Sequence, residues 1–173
     1  MIIDLVVLLI FLYIGVIGFR RGLGFSILHG ACTIVALIIS NAYYLVIARR
    51  LELFVPFPKT IAYDMKFAIP LDQLQQRFYH ITAFIIIAII TKLILYAIIA
   101  AFDNMTNQSN IFIWSRIIGI VISFITSLLV VNLALYVLAI YPNEILQSQL
   151  SSSLIAKPLT LNIPLLSNFI LKI

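Results

Sequence analysis

The side chains that could do chemistry in this chain are few and stand apart. His29 lies inside an apolar run, Lys92 near the middle of another, and Arg116 and Asn132 in a third, while Asp4 and the pair Arg20-Arg21 stand at the edges of the first. An imidazole could carry a proton or hold a metal, a cation could pair with an anion, and together they could line a wet path through lipid. Each also has a plainer role. Asp4 sits in a first helical turn, where a carboxylate faces the positive end of the macrodipole and reaches water. His29 reads as a hydrogen-bonded residue between helices, Lys92 as a cation reaching one interface, Arg116 as an interface marker and Asn132 as a helix-to-helix hydrogen bond. No apolar run holds paired carboxylates and no glycine-rich phosphate loop is present, so catalytic residues, cofactors and metal ligands are expected to be none.

The elements that carry these groups must be lipid-facing helices. The 173 residues are 64% hydrophobic and only 10% charged, with a mean hydropathy of +1.18, far from the roughly 25% charge of a soluble domain. The net charge of +5 is spread singly or in pairs at the ends of apolar segments, which reads as membrane anchoring rather than nucleic-acid binding. One cysteine, Cys32, leaves no internal disulfide. The first run is expected to remain as a span, since no base precedes it and arginines follow it.

The run from Ile2 to Ala48 would reach about 70 Å as one straight helix, more than twice a hydrocarbon core of about 30 Å. It is interrupted by Arg20-Arg21-Gly22, so a membrane hairpin bending there is expected. Further runs give an all-α, polytopic membrane protein of one domain over residues 1–173. Four spans are expected at about 2–19, 23–48, 78–102 and 111–141, with a loop at 51–77 and an interfacial tail at 142–173. In the loop, LDQLQQRF after Pro70 reads as a short amphipathic helix on the membrane surface. Gly18, Gly22, Ser26 and Gly30 recur every four residues, as do Ser115, Gly119, Ser123 and Ser127. Such ladders let helix backbones approach closely, and in lipid close packing is a main source of association. The two ladders are therefore expected to pack against each other.

Asp4 at the head of the first span, Gly15, the GFRRG of Gly18 to Gly22, Arg116 with Gly119, the serines Ser151 to Ser153 and IPLLS from Ile163 to Ser167 stand in an order that resembles the colicin V production (CvpA) family of bacterial membrane proteins. The family often has an asparagine before the arginine of its last span and a further glycine after its glycine; Ser115 and Ser123 stand there in this chain. The resemblance implies a multi-pass protein of the bacterial plasma membrane, in a family whose name derives from a requirement for secreting a peptide toxin.

From this follows an expected function: a non-enzymatic accessory protein of the cell envelope that supports toxin production or export, with the lipid bilayer, membrane proteins or further copies of itself as partners. The alternative is a subunit of a small oligomeric channel or transporter. Orientation is drawn two ways. Leaving out Lys92, cytoplasmic termini would put seven bases inside (Arg49, Arg50, Lys59, Lys66, Arg77, Lys157, Lys172) against three outside (Arg20, Arg21, Arg116). Some members of the resembled family carry an extracytoplasmic protease domain after the last span, which implies extracytoplasmic termini, the orientation taken here.

Overall fold

The computed structural model describes residues 2–59, 62, 67–69, 73–106 and 112–162. Among the described residues the fold is all-helical, in the order α1 (Ile2–Phe54), α2 (Leu74–Thr106), α3 (Ile113–Ile140), α4 (Glu144–Ser151) and α5 (Ala156–Asn162). α1, α2 and α3 are long and apolar enough to cross a membrane. Prolines fix two of the ends: α1 stops ahead of Pro56 and Pro58, and α3 ahead of Pro142. A proline cannot donate the next helical hydrogen bond and pushes the residue before it out of the helical region.

α1 is two arms joined at one residue. Gly22, with φ 72° and ψ −167°, leaves helical geometry in the middle of the 53-residue element, a conformation open to glycine because it carries no Cβ. The contacts of the two arms with α3 run in opposite senses. In the first arm Ile3 and Val7 pack with Val131 and Leu135, Phe11 lies 4.9 Å ring to ring from Phe124, and Gly18 faces Gly119. In the second arm Leu23 meets Ser115, Ser26 meets Ser123, and Leu37 and Tyr44 pack in the cluster of Leu133, Tyr136 and Ile140.

α2 runs back along the second arm. Tyr44 lies 5.4 Å from the His80 ring, and His29, farther up α1, lies 6.2 Å from Tyr96. Only the first half of α2 shares a core with α3, through Ile81 and Phe84; from residue 88 to residue 101 no α2 side chain is buried.

The radial distribution of side chains is that of a membrane protein. The buried positions of α1 include Gly18, Gly22, Ser26, Gly30, Thr33, Ala36 and Ser40, while Tyr13 is 68% exposed, Ile38 63% and Leu93 62%. A soluble fold hides most of its large apolar side chains; along α1 most of them point outward and the small ones inward, as lipid surroundings allow.

Loop and tail close one end of this bundle. Leu150 and Ala156 are fully buried in a cluster with Ile3, Val7 and Ile69, so the tail packs through one face onto the helix ends. The surface helix expected over LDQLQQRF takes another form: Leu74 to Arg77 are the first turn of α2, because nothing stops the helix there, and the residues at 70–72 lie outside the described ones. IPLLS at 163–167 also lies outside them.

Candidate functional site

The two ladders of small residues meet at the bend. A Cβ built on Gly18 would stand 2.7 Å from the Gly119 carbonyl oxygen and 2.5 Å from Ser123 Oγ, and one on Gly119 would stand 2.8 Å from the Gly22 carbonyl carbon. The backbones of α1 and α3 therefore approach too closely for a side chain on either glycine. Around this crossing hydroxyls take over the polar work. Leu23 opens the second arm, where a first-turn amide has no intrahelical acceptor, and it donates to Ser115 Oγ at 3.0 Å. Ser123 donates to Ser26 at 3.0 Å, and Ser26 in turn to the Gly22 carbonyl at 2.9 Å. This relay ties the Gly22 carbonyl and the Leu23 amide that follows it to serines of the crossing. One rung on, Gly30 faces Thr126, while Ser127, also buried, donates to the carbonyl of Phe124 in its own helix.

The bend carries its cations outward. Arg20 and Arg21 are exposed, and the Arg21 guanidinium lies 4.4 Å above the Phe25 ring. Arg116, in the first turn of α3, places its guanidinium 5.5 Å from the Phe19 ring centre, and its Nε is buried with no partner among the described residues.

Deeper in the bundle His29 and Lys92 share the α1–α2 contact. They lie within electrostatic reach of one another, and Cys32, one turn from His29, lies within reach of Lys92. His29 is enclosed by Phe25 at 6.0 Å and Tyr96 at 6.2 Å. Lys92 stands 18 residues from the start of α2 and 14 from its end, so it lies at mid-helix, about 20 Å or more from either terminus. Sequence reasoning passed over the Cys32–His29 spacing of one helical turn, and the approach of Lys92 to both was not legible in it.

At the closed end three polar side chains bind segments distant in the chain. The Asp4 carboxylate accepts hydrogen bonds from the amides of Leu154 at 3.2 Å, Ile155 at 3.1 Å and Ala156 at 3.3 Å. It caps α5 rather than its own helix. Asn132, 1% exposed, donates to the carbonyl of Leu159 at 2.8 Å. Gln147, which sequence reasoning passed over, places its amide nitrogen 3.0 Å from the carbonyls of Ala139 and Tyr141 and accepts from the Ala68 amide at 3.0 Å. It thereby covers carbonyls that a helix C-terminus leaves without partners.

Beside this latch, between the end of α1 and the start of α2, opens a cavity of about 820 Å³ lined by Arg49, Glu52, Phe57, Lys59, Gln73, Gln75, Gln76, Tyr79 and His80 among others. Both signs of charge and three side-chain amides converge there, which suits a polar or charged group. Among the described residues no cluster of three or more His, Cys, Asp or Glu side chains could hold a metal.

A family model described as colicin V production protein matches residues 3–164 of the chain. No curated protein and no solved structure matches it.

Proposed function

The chain belongs to the colicin V production protein family, and from that premise we propose that it is a non-enzymatic accessory protein of the bacterial plasma membrane, supporting toxin production or export by holding partner proteins in the bilayer. The match over residues 3–164 carries this reading. The packing supports it: a bundle locked at Gly18 and Gly119 and latched by Asp4 is a stiff platform, and the cavity at Arg49, Glu52 and Lys59 gives a partner a polar foothold.

We further propose that the platform has four spans, with α1 doubling back at Gly22. The opposed contact senses of its arms and the cationic Arg20-Arg21 beside the bend support this, since guanidinium groups are costly at the bilayer centre. In this arrangement Ile2, Phe54, Leu74 and Ile140 share one membrane face, taken as extracytoplasmic, with Arg20, Arg21 and Arg116 on the other. A reporter active on one side only, fused after Ile173, tests that orientation. For the function, the chain is deleted from a strain secreting a colicin V-like peptide and crosslinked in native membranes. Loss of extracellular toxin with capture of a defined membrane partner is expected; undiminished secretion would overturn the proposal.

A second reading rests on the approach of Lys92 to His29 and Cys32 within apolar helices. Several copies could arrange these groups along a wet path, as in a channel or transporter subunit. Liposome flux that Lys92→Leu abolishes would favour this reading, and absence of flux would retire it.

A further inference from the structure

A second, apolar groove runs along the outside of the first arm of α1 where it meets α3, and its two ends differ. Its volume is about 570 Å³; Val7, Phe11, Gly15 and Phe19 on α1 and Ile120 and Phe124 on α3 are among its lining residues. From Val7 to Phe19 the groove follows 12 residues, a rise of about 18 Å, slightly more than the roughly 15 Å half-thickness of a hydrocarbon core. Gly15 leaves its floor open, for a Cβ there would meet nothing within 4 Å. At the Phe19 end stands Arg116, one helical turn before Ile120, with its guanidinium against the Phe19 ring and its Nε without a partner among the described residues. Arg20 and Arg21, both exposed, follow Phe19 directly.

We propose that this groove holds one anionic phospholipid, an acyl chain lying from Phe19 toward Val7 and the headgroup phosphate seated on Arg116. Length and charge argue together. The groove is as long as the chains of one leaflet, and the cationic end lies where a headgroup belongs. A guanidinium is built for phosphate oxygens, and the bond to a charged acceptor is the strong kind. The proposal rests on membrane insertion of α1 and α3, which carbonate washing of membranes tests separately.

The test uses the full chain purified in detergent, titrated with phosphatidylglycerol and with diacylglycerol of matched acyl chains, which lacks the phosphate, and read by native mass spectrometry. Phosphatidylglycerol is expected to bind about tenfold tighter, the scale of one charge-assisted hydrogen bond. Arg116→Gln should bring the two lipids level while leaving diacylglycerol unchanged. Gly15→Leu, which fills the open floor, should weaken both lipids without lowering the melting temperature. Equal binding of the two lipids by the unaltered chain would overturn the proposal, as would a preference that survives Arg116→Gln. So would Gly15→Leu splitting a dimer with lipid binding intact, which would give the groove to a second copy.

Discussion

The carbonyl oxygen of Gly18 lies 2.7 Å from the point where a Cβ on Gly119 would stand, and the carbonyl oxygen of Gly119 lies equally close to the corresponding point on Gly18. The two glycines exclude each other's side chains. Because the neighbours are backbone atoms of two packed helices, neither can step aside without moving a helix.

Gly18→Ala and Gly119→Ala should each destabilise the bundle by about 1–3 kcal/mol or more, the usual cost of overpacking. Gly15→Ala and Gly24→Ala, whose added Cβ atoms would meet nothing within 4 Å, should leave it as stable or slightly more so. Leucine at Gly18 or Gly119 should impair assembly more than leucine at Ile17 or Ile120. Thermal unfolding in detergent reads the series, and equal losses at all four glycines would contradict the close crossing.

Ser115 supplies the acceptor for the first amide of the second arm. Ser115→Ala should cost about 1 kcal/mol, as loss of a helix cap does. Ser115→Asn, which keeps an acceptor oxygen, should restore most of it. If the alanine and asparagine variants melt together, the hydroxyl is not acting as a cap.

The all-helical character and the apolar spans are legible from hydropathy, because lipid demands long uninterrupted helices. So are the faces of small residues at a four-residue step. Which rungs touch is another matter. A four-residue step advances about 40° per rung around the helix, so by the fourth rung Thr126 rather than Ser127 faces Gly30. Contacts across the chain were illegible for a different reason: nothing near Asp4 in the sequence announces that its partners are the amides of Leu154 to Ala156. Its position in a first helical turn explained it locally and concealed the tail. Gln147 was hidden likewise, as an amide in a polar-looking stretch whose work is to cover the last carbonyls of α3.

Asp4→Ala removes three acceptor contacts from the start of α5 and should loosen the tail without disturbing the crossing at Gly119. Hydrogen exchange should rise at Leu154, Ile155 and Ala156 and stay unchanged in the buried stretch of α3. Protection retained at those three amides would show that the latch is held by packing alone.

Gln147→Leu leaves the carbonyls of Leu138 and Ala139 and the amide of Ala68 without their shared partner. Unsatisfied buried groups cost about 1–3 kcal/mol, and the variant should lose that much stability in thermal unfolding although it adds apolar surface. A gain in melting temperature would count against this role.

In the proposed four-span arrangement α1 crosses the membrane twice, and single-cysteine labelling tests this most directly. In a Cys32→Ser background, Ile2→Cys, Arg20→Cys and Glu52→Cys are each probed in oriented vesicles with a membrane-impermeant maleimide. The expected result is labelling of Ile2→Cys and Glu52→Cys from one side and of Arg20→Cys from the other. Labelling of Ile2→Cys and Glu52→Cys from opposite sides would contradict it.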